Sequence, residues 1–218
     1  KIKYVECKNY EEVAVAIENM TIQGSVTMAL TAGYGFVLAL EHYHPQKNGP
    51  IGQYIRDIYN RFLHTRPTGQ QLKQILDKCL GLTQKAMDNG TTSGEELAQL
   101  ILSLMDDERA AVDLIAQRCG ENMASLIEDG DKILTHCFAG SALIHMLLAA
   151  KKADKHIEMY CTETRPYLQG ARLAASSIRD TGTKVTLVTD NMPGFLMEQG
   201  MVTKMVTAMD KITLDGYV

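Results

Sequence analysis

The chain has 218 residues, of which 45% are apolar and 22% charged, and its formal net charge is -4. This composition supports a buried core, and charges of both signs are interspersed without a basic run, which disfavours nucleic acid and anionic membranes as partners. The five cysteines form no C-x-x-C pair, so neither a disulfide framework nor a metal site is indicated, and a reducing cytoplasm fits best. No apolar run approaches the roughly 20 residues of a membrane span, so we expect a soluble cytoplasmic protein.

Up to about residue 130 the apolar residues recur at helical spacing, which predicts a mainly helical first half. Asn9 with Glu12, and Ser93 with Glu96, have the spacing of capping boxes at helix starts. We expect the last helix to be broken near Asp106. The predicted helices cover the stretch after Asn9, Val26 to Tyr43, Pro50 to His64, Thr68 to Asn89 and the stretch after Ser93.

Beyond residue 130 short β-rich runs alternate with helical ones, a pattern typical of βαβ crossovers and a parallel sheet. The fold class is therefore α/β, with a helical N-terminal domain (1–130) followed by a Rossmann-like domain (131–218). Because the sequence begins without Met and ends without a terminal helix, we expect a segment of a longer chain. The predicted strands are Ile133 to Thr135, Ile157 to Cys161, Val185 to Val188 and Met205 to Ala208; the predicted helices are Ser141 to Lys152, Tyr167 to Thr181 and Pro193 to Gly200.

Ligands of open parallel sheets bind outside the carboxyl ends of the strands, so the residues that follow each strand are the first candidates for a site. A thiol, an imidazole, an amide and three carboxylates occur there. Cys137 precedes a predicted helix whose dipole favours a thiolate, although most cysteines are simply small buried hydrophobes. Asp210 follows the fourth strand, where it can equally cap a turn. The other candidates are His136, Glu163, Asp190 and Asn191, although histidines and carboxylates beside a loop more often bond the backbone than react.

Two glycine-containing segments of the helical half need an explanation, because the chain has no nucleotide-phosphate loop of the P-loop or Rossmann type. Gly33 and Gly35 lie inside a helical pattern, where close helix packing is the favoured reason for glycine. Gly24 and Ser25 precede a helix and can offer backbone N–H groups to a phosphate, but an ordinary turn with a serine cap explains them as well.

Several ordered motifs span nearly the whole chain. They are Leu134-Thr135-His136-Cys137, the run from Glu163 through Gln169-Gly170-Ala171-Arg172-Leu173, Thr189-Asp190-Asn191-Met192, Ala208-Met209-Asp210-Lys211-Ile212, and upstream Gln23-Gly24-Ser25 and Arg66-Pro67-Thr68. In these the chain resembles the sugar-phosphate isomerases related to initiation factor two-B, the family of 5-methylthioribose-1-phosphate isomerase. Two positions depart from the family pattern, since Gln23 replaces an Arg and Phe138 replaces an Asn.

The resemblance implies an aldose-ketose isomerase that converts a 5-substituted pentose 1-phosphate, 5-methylthioribose 1-phosphate in the first place, to the ribulose 1-phosphate. It also implies that no cofactor or metal takes part and that the protein is a homodimer or larger homo-oligomer. Cys137 and Asp210 are carried over as the acid-base pair, which we expect to share a cleft between the two halves. The substrate and phosphate contacts carried over are Gly24, Ser25, Arg66 and Gln169.

Two alternatives within the same fold stay open. One is a ribose-1,5-bisphosphate isomerase, and the short spacing from Cys137 to Glu163 resembles both this enzyme and the regulatory subunits of initiation factor two-B. The other is a non-catalytic regulatory protein that binds a phosphorylated ligand and a partner, as the regulatory subunits of initiation factor two-B do. The presence of both Cys137 and Asp210 favours catalysis, because those subunits do not need the pair.

Overall fold

The computed structural model describes residues 4–209 and 212–217, and the chain divides into two compact units between residues 110 and 111. The first unit contains helices, whereas all the described strands lie in the second. The predicted α/β class is thus confirmed, and the predicted domain boundary after residue 130 stays a prediction. None of the helices in the described ranges combines the length and apolarity needed to cross a membrane.

The first unit is built from helices that enclose one apolar core. Phe36, Ile55 and Phe62 are completely buried in it. Asn9 begins the first helix as predicted, because its side chain accepts the backbone N–H of Glu12 at 3.0 Å. The helices are α1 (Tyr10–Glu18), α2 (Ser25–Glu41), the unpredicted short α3 (Pro45–Asn48), α4 (Ile51–Leu63), α5 (Gln70–Asp88) and α6 (Gly94–Ser125), the last of which runs on into the second unit.

The two glycines of α2 explain how closely these helices pack. A methyl group on Gly33 would overlap the side chain of Met105 from α6, and one on Gly35 would lie 2.5 Å from Phe62 of α4. Any larger residue would force these helices apart, so the helix-packing interpretation of Gly33 and Gly35 is confirmed.

Two predicted helix boundaries in this unit are wrong. Helix α6 continues through Asp106 without a break, because the carboxylate is exposed and solvated, and Asp costs a helix only about 0.7 kcal/mol. Helix α5 begins at Gln70, with Gly69 rather than Thr68 at its N-cap. A turn in which the Gly69 N–H donates to the Arg66 carbonyl at 2.9 Å delays the helix start.

The second unit contains a parallel four-stranded sheet of order β3-β2-β1-β4. One face of the sheet packs against α7 and α8 through residues such as Ile133 and Met159, and the other packs against Leu196 of α9. The elements are β1 (Lys132–Thr135), α7 (Ser141–Lys152), β2 (Glu158–Thr162), a π-helical segment (Gly170–Ala174), α8 (Ala175–Asp180), β3 (Lys184–Val188), α9 (Pro193–Glu198) and β4 (Lys204–Met205).

The fourth strand differs from its prediction of Met205 to Ala208. It has only two residues and begins one residue earlier than predicted, at Lys204. Lys204 forms a 2.6 Å ion pair with Asp131. The ladder beside β1 ends when the Val206 N–H donates to the Leu134 carbonyl.

Candidate active site

The ends of β1 and β2 are joined by a side-chain hydrogen bond at the carboxyl edge of the sheet. His136 follows β1, and its Nδ1 lies 2.7 Å from the Oγ1 of Thr162, the last residue of β2. Cys137 comes next and has a left-handed backbone, with φ of 59°. Non-glycine residues adopt this conformation infrequently, so the turn that presents Cys137 is a specific one.

Cys137 is half-buried, and α7 begins four residues later with Gly140 as its N-cap. A second thiol, Cys161 on β2, is completely buried. Burial first, and the charge of nearby Cys137 second, raise the pKa of Cys161 to about 11. At neutral pH Cys161 is therefore a protonated thiol in the core, and Cys137 is the accessible sulfur at this edge.

Asp190, which follows β3, binds the backbone of the loop after β2. Its two carboxylate oxygens accept the N–H groups of Thr164 and Arg165, each at 2.7 Å. These two bonds hold the pKa of Asp190 below its ordinary value, and the bond from Arg165 lowers the pKa most. Glu163 in the same loop accepts the Nε–H of Arg165 at 3.0 Å.

Gln169 is half-buried and lies at the start of the π-helical segment. The glycine after it is required by space, because a methyl group on Gly170 would overlap the backbone carbonyl of Thr162. Gln169 is thereby held close to the end of β2.

The predicted phosphate contacts of the first unit lie at the start of α2 and in the loop between α4 and α5. Gly24, with φ of 89°, is the N-cap of α2, and Ser25 is its first residue. Arg66, in the loop between α4 and α5, donates from Nη2 to the carbonyl of Ile17 at 3.3 Å, near the end of α1. Helix N-termini offer N–H groups to anions, and a guanidinium offers fixed donors, so this pairing of features suits a phosphate.

Gln23 occupies the position where the resembled family has Arg. Its Nε2 donates to the carbonyl of Met20 at 3.0 Å, while its Oε1 is buried without a hydrogen-bond partner in the described part of the chain. The substitution removes a positive charge from the loop that precedes Gly24.

The structure thus places Cys137 and Gln169 at one sheet edge, and Gly24, Ser25 and Arg66 on neighbouring loops of the first unit. Asp210 lies outside the described residues, so the shared cleft of Cys137 and Asp210 stays a prediction. For Asp190 the structure shows the backbone-bonding alternative, but the sequence did not indicate which N–H groups it binds, because backbone donors leave no signature in the sequence. Within residues 4–209 and 212–217, no three His, Cys, Asp or Glu side chains are arranged as metal ligands.

Known proteins share both the sequence and the fold. Residues 21–218 match the model of the Initiation factor 2 subunit family. The methylthioribose-1-phosphate isomerase of Thermotoga neapolitana is 35% identical over 224 residues, which cover 98% of this chain and 62% of the relative. The chain therefore spans less than two thirds of the length of such curated relatives.

Two solved structures are also similar. Subunit delta of the translation initiation factor eIF-2B from A. fulgidus has a TM-score of 0.78 and 30% identity, over 97% of this chain and 63% of that one. The 5-methylthioribose 1-phosphate isomerase of Pyrococcus horikoshii has a TM-score of 0.75 and 28% identity, over 95% of this chain and 59% of that one.

A helical unit followed by a parallel sheet, with polar side chains gathered at the carboxyl edge of the strands, defines an α/β protein of the fold that these two structures share. The chain belongs to the Initiation factor 2 subunit family. The resemblance inferred from the motifs is confirmed.

Proposed function

We propose that the protein is an aldose-ketose isomerase of methionine salvage, which converts 5-methylthioribose 1-phosphate to 5-methylthioribulose 1-phosphate. The observation that carries the proposal is the half-buried thiol of Cys137 at the carboxyl edge of the sheet, within a motif that resembles those isomerases. Relatives that bear this enzyme's name are 31% to 37% identical over nearly the whole chain, which supports the same reaction.

The isomerisation has no net redox change, and this chain's residues are assigned to its proton transfers. Asp210 gives a proton to the ring oxygen as the bond between C1 and the ring oxygen breaks. Cys137, as the thiolate, removes the C2 proton as the double bond between C1 and C2 forms and then returns it to C1. Asp210 takes the proton of the C2 hydroxyl as that oxygen becomes the carbonyl, which restores the acid and gives the ketose 1-phosphate. Two groups with different pKa values are suited to these two roles.

Binding is assigned to the residues around the phosphate and the sugar hydroxyls. Gly24 and Ser25 offer N–H groups at the start of α2, Arg66 adds a guanidinium, and Gln169 contributes an amide from the loop after β2. No cofactor or metal is assigned to the reaction.

The cellular setting and the assembly belong to the same proposal. All five cysteines are free thiols, which supports a cytoplasmic protein. A homodimer or larger closed homo-oligomer is assigned because symmetric assemblies prevail among soluble oligomers. Sedimentation that shows only monomer at micromolar concentration contradicts the assembly.

The test is a turnover assay in D₂O with a panel of pentose 1-phosphates that includes ribose 1,5-bisphosphate. Cys137→Ser and Asp210→Asn are nearly isosteric, so each should lower kcat by roughly 10²- to 10⁴-fold while ligand binding persists. Cys119→Ser, which changes an exposed thiol on α6, is the matched control and should keep the parent rate.

Arg66→Ala should act on binding instead. Loss of a charge-assisted contact costs about 1.5 to 3 kcal/mol, so KM should rise roughly 10- to 150-fold with a smaller change in kcat. Arg56→Ala, at an exposed position of α4, serves as its control. Parent-like kcat in both Cys137→Ser and Asp210→Asn would refute the assigned pair.

The regulatory alternative is favoured by one observation, the likeness to the initiation-factor subunit from A. fulgidus. It predicts that the parent protein binds a pentose phosphate and turns over none of the panel. Preferred turnover of ribose 1,5-bisphosphate would select the other isomerase.

A further inference from the structure

The loop after β2, residues 163–169, contains two residues whose backbone conformation is unfavourable without support. Thr164 and Leu168 both have left-handed backbones, with φ of 61° and 60°. Each such non-glycine residue costs on the order of 1 kcal/mol or more and persists only where the surroundings hold it. One bond within the loop, from the Leu168 N–H to the Thr164 carbonyl at 2.7 Å, supports this backbone, and the rest of the support comes from contacts with its neighbours.

Asp190 supplies the main contact at the near end of the loop. Its oxygens Oδ1 and Oδ2 accept the consecutive N–H groups of Thr164 and Arg165, both at 2.7 Å. Consecutive backbone N–H groups around a left-handed residue form an anion-binding concavity, and here the anion is the protein's own carboxylate. At the far end, Gly170 closes onto the carbonyl of Thr162.

This loop is connected to the two groups assigned to the reaction in the second unit. Gln169 is its last residue and follows the left-handed Leu168 directly. Thr162, immediately before the loop, is bonded to His136, the neighbour of Cys137. A shift of the loop would therefore displace Gln169 and disturb the turn that presents Cys137.

We infer that Asp190 is a positioning residue: its carboxylate clamps the loop after β2 and so holds Gln169 and the His136–Thr162 pair in the geometry that the reaction needs. Both of its oxygens are engaged by backbone N–H groups, so the role assigned to it is exerted through the loop. The inference rests on the proposed function.

The first test compares Asp190→Asn with Asp180→Asn, a control at an exposed carboxylate that pairs only with its neighbour Arg179 among the described residues. Asn has one acceptor oxygen, and its NH₂ group would face a backbone donor. Hydrogen exchange of the amides of residues 164 and 165 should become at least about 10-fold faster in Asp190→Asn, since one N–H loses its acceptor.

Turnover separates positioning from other roles. A misplacement of about 1 Å can cost about 10²-fold in rate, so kcat of folded Asp190→Asn should fall roughly 10- to 100-fold, with a rise in KM from the displaced Gln169. A proton-transfer role would instead remove one limb of the pH–rate profile and leave the exchange unchanged. Loss of global stability alone would leave kcat per folded molecule at the parent value.

A rescue variant keeps the test decisive if Asp190→Asn folds poorly. Thr164→Gly removes a buried hydroxyl that has no partner in the described part of the chain, and glycine adopts a φ near 60° without penalty. The double variant Thr164→Gly/Asp190→Asn should fold and recover part of the lost kcat. No recovery would contradict a clamp that acts on residue 164.

The remaining outcomes are also decisive. Parent-like exchange in Asp190→Asn overturns the clamp, and faster exchange with unchanged kcat overturns its role in the reaction. If the parent turns over no pentose 1-phosphate, the proposed function fails before any variant is compared. The positioning role then falls with it, and exchange data would show the clamp to be structural only.

Discussion

The buried carboxylate of Asp131 gives the sharpest prediction about stability. Only 5% of Asp131 is exposed, and it accepts hydrogen bonds from Lys204 and the Thr203 hydroxyl, both at 2.6 Å, and from the Glu128 N–H at 2.7 Å. These bonds join the start of β4 to β1. Replacement by Asn removes the charge and places an NH₂ group against a donor.

The cost follows from these contacts. Breaking a fully buried ion pair costs about 3 to 5 kcal/mol, but Lys204 is 33% exposed and regains part of its hydration. Hydrogen bonds to charged groups contribute about 1.5 to 3 kcal/mol each, and Asn retains some of them. Asp131→Asn should therefore lower the free energy of unfolding by about 2 to 4 kcal/mol at pH 7.

The effect should depend on pH in one direction. Burial alone would raise the pKa of Asp131, but the bonds from Lys204, Thr203 and Glu128 together outweigh it and hold the pKa below its ordinary value. The stabilisation is complete above the unfolded pKa of about 3.9 and is lost as pH falls through the folded pKa. The difference in the free energy of unfolding between the parent and Asp131→Asn should therefore narrow below about pH 4.

Urea unfolding followed by far-ultraviolet circular dichroism, repeated from pH 7 downwards, measures this gap. Glu158→Gln, which breaks the exposed pair with Lys184, is the control and should change the midpoint little. Equal midpoints for parent and Asp131→Asn at pH 7, or a gap that does not narrow in acid, would refute the reasoning.

Two further predictions concern the sheet edge. Gly170→Ala should lower the free energy of unfolding, measured in urea, by at least about 1 to 3 kcal/mol, because its methyl group overlaps the Thr162 backbone. Gly194→Ala, with open space around it, should be near neutral. Equal effects of the two substitutions would contradict the steric argument. Alkylation of the folded protein at pH 8, measured by peptide mass, should modify Cys137 readily and Cys161 hardly at all. The pKa of about 11 leaves about one Cys161 side chain in a thousand as thiolate at this pH. Equal alkylation rates would contradict the burial of Cys161.

Much of the fold follows from local sequence signals. Helix α7 has the predicted bounds Ser141–Lys152, because a left-handed Gly140 precedes it and an apolar face continues through it. The first three strands lie within one residue of their predictions, since short β-rich runs between helical segments are clear in the sequence even where, as in β3, the strand is largely exposed. The fourth strand depends on a tertiary ion pair between Asp131 and Lys204, which no local pattern encodes.

The candidate site follows the same rule. The described residues that follow β1, β2 and β3 lie at one edge of the sheet, because parallel strands bring their carboxyl ends together, while their selection as site residues stays a prediction. Their individual roles depend on where backbone donors point, and the sequence does not record that. The bonds that Asp190 forms with Thr164 and Arg165 are the clearest example.

The candidates at this edge differ in whether their polar atoms already have hydrogen-bond partners. His136 is held by Thr162, Glu163 by Arg165, and Asp190 by two backbone N–H groups. The two backbone bonds lower the pKa of Asp190, which makes its carboxylate a weaker base. Within the described residues no hydrogen bond engages the sulfur of Cys137, which is also half-buried rather than sealed in the core. These contacts support the proposal that Cys137, among the described candidates at this edge, exchanges a proton with the ligand.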